Sequence, residues 1–300
     1  MSSPLELEHC GYVAIIGRPN AGKSTLLNHI LGQKISITSR KPQTTRHRIL
    51  GIKSTSRAQV VYVDTPGLHE AGRRAMNRLM NRAALDVLLD VDVVLFLVEE
   101  LRWSEEEAYI LDKLRRCKQP VVLAINKVDK ISPKELLLPH MEMLAGQYPF
   151  AEIIPLVARS GKNVARLEEK ITALLPASLP LFPEDQVTDR SERFLAAELI
   201  REKLMRRLAK ELPYALTVEI EQFSLQQGVL RIDALIWVER QAQKSIVIGR
   251  QGQVLKQVGQ QARQDMEQMF GHKVFLQLWV KVKDKWSDDE RALRSLGYME

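Results

Sequence analysis

Cysteine and long apolar runs are both scarce in this chain of 300 residues. The two cysteines, Cys10 and Cys117, are too few for a disulfide framework, and they lack the spacing of a zinc site. The longest apolar run, Val91 to Val98, is interrupted by Asp92 and falls far short of the roughly 18 residues that a transmembrane helix needs. These absences exclude a disulfide-stapled scaffold and predict that no helix spans a membrane.

The first residues of the chain contain no apolar core of the kind found in signal peptides, and Glu6 and Glu8 lie where that core would be. We therefore expect a cytoplasmic protein, and peripheral association with the cytoplasmic face of the membrane stays open. The net charge of +7 favours a polyanionic partner, although so small a surplus is also common in proteins that bind none. An apolar content of 45% is sufficient for packed cores, and the length predicts two domains.

Short apolar runs alternate with amphipathic segments through the first 175 residues. The runs are Tyr12 to Ile16, Val60 to Val63, Val91 to Val98, Val121 to Ile125 and Ile153 to Val157. Helical patterns such as Thr25 to Leu31 and Glu105 to Leu114 separate them. This alternation is typical of parallel strands buried on both faces, so it predicts a doubly wound α/β domain. Ligands in such domains bind at the carboxyl ends of the strands.

A cluster of prolines between Pro176 and Pro183 indicates a linker between two domains. We predict a first domain over 1–178, a linker over 179–189 and a second domain over 190–300. The second domain has an α+β pattern, with a helix followed by two strands, a helical region and a last strand. These elements are predicted at Ser191 to Lys210, Tyr214 to Phe223, Val229 to Val238, Gln253 to Phe270 and Val274 to Val282.

A glycine-rich loop directly follows the first predicted strand and opens a helix. Such a loop turns backbone amides toward phosphate oxygens, while Lys23 neutralises the β and γ charges and Ser24 ligates Mg²⁺. The residues predicted to contact nucleotide here are Gly17, Arg18, Pro19, Asn20, Ala21, Gly22, Lys23, Ser24 and Thr25.

Two further strand ends carry polar motifs. Asp64, Thr65, Pro66, Gly67 and Leu68 follow one strand; there the Asp64 carboxylate can hold Mg²⁺ and the Gly67 amide can reach the γ-phosphate. Asn126, Lys127, Val128 and Asp129 follow another. The Asp129 carboxylate can accept two hydrogen bonds from guanine, whereas adenine presents a lone pair at N1 and lacks the exocyclic amine there, so the motif favours GTP over ATP.

In the second domain, Ile246 to Lys256 contains a Gly-x-x-Gly string of the kind found in KH domains. The stretch from Arg240 to Gln264 has five basic residues and no acidic one, which favours single-stranded RNA over the alternative of a solvated helix face. The residues predicted to contact RNA are Lys244, Ile248, Gly249, Arg250, Gln251, Gly252 and Lys256, with Lys283, Lys285 and Trp286 near the end of the chain. For Trp286, stacking on a base and packing within its own domain are equally open.

The three nucleotide motifs, in this order, resemble those of the translation-factor-related GTPases, and the segment from Lys41 to His47 narrows the resemblance. With the KH string and the terminal segment, nearly the whole chain resembles the Era family of bacterial GTPases. The resemblance implies a P-loop GTPase domain followed by a type II KH domain. It also implies that a threonine of the Lys41 to His47 segment senses the γ-phosphate and completes the Mg²⁺ shell, with Thr45 as first choice and Thr44 as second.

By the same resemblance, we expect GTP hydrolysis to GDP and phosphate, with Lys23, Thr45, Asp64 and Gly67 as the catalytic set. The expected partners are small-subunit ribosomal RNA near its 3′ end and the 30S subunit, and we expect a monomer. Val157, Ala158 and Arg159 lie where the family carries a loop that contacts guanine, and Val157 lacks the hydroxyl that usually braces it.

Leu68 lies where Ras-like enzymes carry a glutamine that positions water, so the backbone, a potassium-assisted arrangement or a partner must position it here. Two other classes stay open. One is an RNA-modification enzyme with an attached GTPase domain, although 176–300 contain no cysteine to serve as its nucleophile. The other is an RNA tether whose bound nucleotide is not significantly turned over.

Overall fold

The computed structural model describes residues 9–39, 41, 44–68, 75–209, 212–295 and 298. Pro42 and Gln43, in the segment from Lys41 to His47, lie outside the described residues. The chain forms two compact units, described separately below. In its described part, the first contains 9–36, 45–68 and 80–189, and the second contains 75–79, the residues described between 37 and 44, and those from 190 onward.

The first unit is built on a six-stranded sheet with the order β2-β3-β1-β4-β5-β6. The strands are β1 His9–Ile16, β2 Ile49–Ser54, β3 Ala58–Asp64, β4 Val93–Glu99, β5 Val121–Asn126 and β6 Glu152–Pro155. Every residue of β3, β4 and β5 is buried, as continuous apolar runs predict for strands covered on both faces. The doubly wound α/β prediction is confirmed.

One strand of this sheet, β2, was not predicted. It pairs antiparallel with β3, whereas the other neighbouring pairs are parallel. Antiparallel strands can be joined by a short turn. The sequence between β2 and β3 therefore has no helical pattern that would separate the two strands. Gly51 also interrupts its apolar run, and a Cβ at Gly51 would lie 2.6 Å from Leu27 Cδ1. β2 therefore packs closely against helix α1 (Lys23–Leu31), although its own sequence has only a short apolar run.

The helices of the structure up to residue 175 are α1 Lys23–Leu31, α2 Ala75–Asp86, α3 Glu105–Leu114, α4 Leu137–Ala145 and α5 Val164–Leu174. Helix α3 has the predicted bounds. It begins at a capping box in which Glu107 accepts a hydrogen bond from the Ser104 backbone N–H at 2.8 Å.

The second unit contains α6 Glu192–Arg207, β7 Leu216–Gln226, β8 Val229–Val238, α7 Gln241–Ile248, α8 Gln253–Phe270, β9 Lys273–Val282 and α9 Glu290–Ser295. In the sheet order β7-β8-β9, β7 is antiparallel to β8 and β8 is parallel to β9. Helices α6 and α8 pack against each other and against the outer strands, with Leu199, Ile200, Leu204, Ala262 and Met266 in the core. The α+β prediction is confirmed.

The segment predicted as a linker is bonded to the edge of the first unit's sheet. The Ile52 N–H donates to the Val187 carbonyl at 2.8 Å, and the Leu50 N–H donates to Asp189 Oδ1 at 3.1 Å. Gln59 Oε1 accepts hydrogen bonds from the backbone N–H groups of Leu181 and Phe182. Residues 181–189, which overlap and follow the proline cluster, are therefore hydrogen-bonded to the first unit. None of the helices described combines the length and the apolar character that crossing a bilayer takes.

Candidate nucleotide and RNA sites

The glycine-rich loop lies between the end of β1 and the first residue of α1. Gly17 has φ of +153° and Gly22 has φ of +108°, a region that residues with a Cβ rarely adopt. A Cβ would lie 2.4 Å from the Leu97 carbonyl oxygen at Gly17 and 2.2 Å from Asn126 Nδ2 at Gly22. Both positions therefore require glycine, and the loop passes close to the ends of β4 and β5.

Lys23 is the first residue of α1, and its side chain folds back over the loop. Its Nζ donates to the carbonyl oxygens of Gly17 at 2.9 Å and Arg18 at 3.0 Å. Burial lowers the pKa of Lys23 to about 8, and the negative charge of Asp64 opposes that shift. A desolvated cation at a helix N-terminus is suited to a phosphate group.

Three oxygen-bearing side chains from separate parts of the first unit meet beside Lys23. Ser24 Oγ lies 2.8 Å from Thr45 Oγ1 and donates to Asp64 Oδ2 at 2.8 Å, and Thr45 Oγ1 lies 3.4 Å from Asp64 Oδ2. Thr44, the second choice, instead directs its hydroxyl to the Lys41 carbonyl at 2.7 Å. The geometry thus brings Thr45, rather than Thr44, to the predicted metal ligands.

The charge of this oxygen cluster fits a magnesium ion. Asp64 is fully buried, and its Oδ1 has no hydrogen-bond partner among the described residues. Burial raises the pKa of Asp64, and Lys23 and three hydroxyl donors oppose that shift. Adjacent ligands of an octahedral Mg²⁺ at about 2.1 Å lie about 3 Å apart, close to the separation of the two hydroxyls. In the described part of the chain no three His, Cys, Asp or Glu side chains gather as a metal cage, so substrate phosphates would complete such a shell.

The residues after Asp64 have structural partners. The Thr65 hydroxyl donates to the Ile15 carbonyl at 2.9 Å and is fully buried, so it ties β3 to β1. A Cβ at Gly67 would lie 2.8 Å from the Pro19 nitrogen, so glycine lets this loop approach the phosphate loop. Pro66 is buried, and Leu68, 1% exposed, packs in the core of the unit.

Asn126 connects three loops of the site. Its Nδ2 donates to the Ala21 carbonyl at 2.8 Å, and its Oδ1 accepts hydrogen bonds from the N–H groups of Lys127 at 2.8 Å and Ala158 at 2.9 Å. Lys127 Nζ donates to the Asn20 carbonyl at 2.9 Å. Asp129, two residues further on, is exposed and stands at the end of this framework. The carboxylate that is predicted to read the base is thus presented from a braced loop.

The loop from Val157 to Arg159 is braced by its main chain. Val157 is buried, donates its N–H to the Lys162 carbonyl at 3.1 Å, and accepts a hydrogen bond from the Gly161 N–H at 2.9 Å. The main chain thus braces the loop at the position where Val157 lacks the hydroxyl of the family. Because the Ala158 N–H donates to Asn126 Oδ1, a contact of this N–H with guanine requires that bond to be shared. Arg159 is exposed, whereas Val128 is buried and packs in the core.

Two acidic residues beside the glycine-rich loop, Glu99 and Glu107, belong to none of the sequence motifs. Arg18 is buried and forms ion pairs with both, so its guanidinium points into the protein instead of toward a nucleotide. Glu99 also pairs with Lys127, which joins the phosphate loop to the base-binding loop. Since Glu99 ends a parallel strand at the ligand-binding edge of the sheet, its position was the signal that could have found it.

The Gly-x-x-Gly string forms the corner between α7 and α8. Gly249 has φ of +76° and Gly252 has φ of +75°, and a Cβ at Gly249 would lie 2.4 Å from Val254 Cγ2. Arg250 and Gln251 project from the tip and are exposed. Around this corner, Lys256 is exposed, and Lys244 and Ile248 are half-buried. The corner offers open backbone with a cation beside it, which suits a phosphodiester chain.

The end of the chain differs from the prediction at Trp286. This side chain is fully buried, donates its Nε1–H to the Ala215 carbonyl at 3.2 Å and lies 6.1 Å from the Tyr298 ring. It packs within its own unit and is not available to stack on a base. Lys285 is exposed, and Lys283 Nζ lies 5.7 Å from the ring of Trp237.

A glycine-rich loop on a doubly wound sheet, a cluster of a carboxylate and hydroxyls that fits a metal, and an exposed Asp129 where a base is predicted to bind are the features of a P-loop GTPase domain, here followed by a KH domain. The sequence matches two family models, described as "50S ribosome-binding GTPase" over 12–127 and "KH domain" over 211–287. It is 60% identical over 289 residues to GTPase Era of Pseudomonas aeruginosa, covering 96% of this chain and 95% of the relative. It is 59% identical over 288 residues to GTPase Era of Marinobacter nauticus, covering 96% and 94%.

Solved structures agree over both domains. A crystal structure of Era with MgGDPNP and nucleotides 1506–1542 of 16S ribosomal RNA matches with a TM-score of 0.94 at 39% identity, covering 97% of this chain and 99% of that one. A variant of Aquifex aeolicus Era bound to GDP and AlF₄⁻ matches with a TM-score of 0.93 at 39% identity, covering 97% and 100%. The chain belongs to the Era family of GTPases, and the expectation of a GTP-hydrolysing enzyme is confirmed.

Proposed function

We propose that this GTPase binds small-subunit ribosomal RNA near its 3′ end through the corner at Gly249 to Gly252 and acts in assembly or maturation of the 30S subunit. The observation that carries the proposal is that one chain combines the nucleotide site with an exposed, basic Gly-x-x-Gly corner. A related protein that matches both domains was crystallised with that region of RNA. We propose domain bounds of 1–178 and 190–300, with 179–189 as the connecting segment.

Crosslinking of the full-length protein to ribosomal subunits, followed by sequencing of the bound fragments, tests the RNA target. Crosslinks should gather at the 3′ end of small-subunit RNA and be lost in Arg250→Ala, whereas Arg166→Ala, an exposed arginine of the first unit, should leave them unchanged. Because the matching family model is described as binding the 50S subunit, crosslinks to large-subunit RNA are the outcome that would contradict this target.

We propose that Ser24, Thr45 and Asp64 hold Mg²⁺, which when bound neutralises charge on the β- and γ-phosphate oxygens. The chain's own groups then do the positioning. Lys23 exchanges its loop carbonyls for phosphate oxygens, and the Gly67 amide donates to the γ-phosphate. Asp129 accepts from the guanine base, which selects GTP over ATP. Equal affinity for ATP and GTP would contradict the role of Asp129.

The attacking water must be positioned by groups other than Leu68, because that side chain is committed to the core. Of the open alternatives, the backbone and a potassium-assisted arrangement can be tested by replacing K⁺ with Na⁺ at constant ionic strength. A turnover that falls in Na⁺ supports potassium, and an unchanged turnover supports the backbone or a partner.

GTP turnover measured with and without small subunits also separates this enzyme from an RNA tether, because no hydrolysis in either case would favour the tether. We propose that GTP hydrolysis is slow alone and faster with small subunits, as expected when a partner completes the site. Similar rates with and without subunits would contradict a role for the partner. We further propose a monomeric, cytoplasmic protein, and fractionation of cells in low and high salt would reveal any peripheral contact with the membrane.

A further inference from the structure

The short segment between Ser36 and Thr45 is held by the KH domain's first helix, α6. The described residues of this segment belong to the second compact unit, whereas Thr45, the next residue in the chain, belongs to the first. The segment therefore leads directly into the proposed metal site.

The first end of the segment is bonded at Thr38. The Thr38 N–H donates to Glu202 Oε1 at 2.9 Å, and the Thr38 carbonyl accepts hydrogen bonds from Arg206 Nε and Nη2, both at 3.1 Å. Glu202 is fully buried, although it is charged. Both backbone polar groups of Thr38 are thus bound by side chains one turn apart on α6.

The other end is bonded at Thr44, one residue before Thr45. The Arg201 guanidinium, which is 1% exposed, donates to both carboxylate oxygens of Glu198, at 2.7 and 2.6 Å. The same guanidinium also donates from Nη2 to the Thr44 carbonyl oxygen. Between the two ends, Lys41 Nζ donates to the Met205 and Leu208 carbonyls at the end of α6.

We propose that Arg201 is a positioning residue for GTP hydrolysis, because its bond to the Thr44 carbonyl fixes the backbone from which Thr45 reaches Ser24 and Asp64. This inference rests on the proposed role of Thr45 in holding Mg²⁺. A salt bridge within α6 needs only Glu198 and Arg201, and the hydrogen bond to the Thr44 carbonyl is the one that reaches the segment. The planar guanidinium spaces its N–H donors in a fixed fork that spans both partners, and the compact ammonium group of a lysine does not reproduce that spacing.

Two variants of the full-length protein test the proposal. Arg201→Lys keeps a cation beside Glu198 but loses the fork of donors that spans Glu198 and the Thr44 carbonyl. The double variant Glu198→Gln with Arg201→Met removes the buried pair together, so that no charge is left buried without its partner. Arg207→Met is the matched control, because Arg207 lies on the same helix and is exposed.

In the double variant we expect kcat to fall about 10- to 100-fold, the scale of one lost charge-assisted hydrogen bond. The Mg²⁺ concentration for half-maximal turnover should rise, whereas affinity for GDP and for RNA should stay within twofold. Arg201→Lys should lie between the double variant and the wild type, and Arg207→Met should match the wild type. A structural role alone would lower the melting temperature without changing the Mg²⁺ requirement.

A kcat and a Mg²⁺ requirement within twofold of wild type in the folded double variant would overturn the proposal, and if that variant fails to fold, Arg201→Lys is judged by the same criteria. The variant Thr45→Ala distinguishes a failure of the role of Arg201 from a failure of the proposed metal role of Thr45. If Thr45→Ala loses turnover while the Arg201 variants keep it, only the role of Arg201 fails. If Thr45→Ala keeps full turnover, the metal role of Thr45 fails and that of Arg201 with it. In the Thr45→Ala background, the Arg201 variants should cause no further loss.

Discussion

Replacing Asn126 with alanine should destabilise the first unit even before any nucleotide is bound. The side chain is 2% exposed and makes three hydrogen bonds, to the Ala21 carbonyl and from the N–H groups of Lys127 and Ala158. At about 1 kcal/mol net for each bond, Asn126→Ala should lower the free energy of unfolding by about 3 kcal/mol. For a unit of this size, that corresponds to a melting temperature lower by about 6–12 °C.

Differential scanning calorimetry of the nucleotide-free protein measures this change. The transition of the first unit is the one that added GDP raises, since a ligand stabilises only the domain that binds it. Gln119→Ala, which removes an amide bonded only at 3.1 Å to the adjacent Lys118 N–H, is the control and should shift this transition by less than about 4 °C. A shift below about 2 °C for Asn126→Ala would show that these bonds do not brace the free protein. The reasoning that Asn126 joins the three loops would then be refuted.

Three further outcomes are expected. Because the pKa of Lys23 is about 8 in the free protein and phosphate needs the cation, GDP affinity measured by titration calorimetry should be about fourfold weaker at pH 8.5 than well below pH 8, and an equal affinity would contradict this. Removing Arg250 or Lys256 should reduce the slope of log RNA affinity against log salt by about 0.7 for each phosphate that the variant no longer neutralises, and an unchanged slope would place the RNA elsewhere. Trp286→Ala should destabilise the second unit by about 3–5 kcal/mol, whereas a folded Trp286→Phe protein should keep its RNA affinity in a filter-binding assay, since the ring packs internally.

Most strands of the first unit could be predicted because strands covered on both faces leave continuous apolar runs in the sequence. The observed bounds of a strand differ from the predicted ones where strand pairing, and not burial, determines the end of the strand. β1 begins at His9 instead of Tyr12 because His9 already pairs with Ala58 of β3. The sequence does not define the bounds of α7, because its apolar residues show only a weak helical spacing and Val247 is its one buried residue.

The nucleotide motifs could be found because each has a fixed spacing beside a strand end, while their supports could not. Ser36, whose hydroxyl donates to Asp64 Oδ2 at 2.8 Å, belongs to no motif and comes from the loop after α1. The ion pairs of Arg18 with Glu99 and Glu107 join residues about 80 to 90 positions apart, so only the fold brings them together. Conversely, the position of Trp286 beside two lysines suggests an RNA contact, but its ring is buried in its own unit.

The small net charge of +7 says little about binding partners, because some of the positive side chains are buried and others are exposed. Arg18 and Arg201 are buried in ion pairs that shape the nucleotide loop and the segment before Thr45, so they contribute nothing to an electrostatic surface. Lys23 is buried over the glycine-rich loop, where its charge would act on a single ligand. The charge that an RNA strand can meet is exposed at Arg250 and Lys256 beside the glycine corner. The net charge of the chain therefore does not show what each positive side chain does. The burial of that side chain and its bonded partners do.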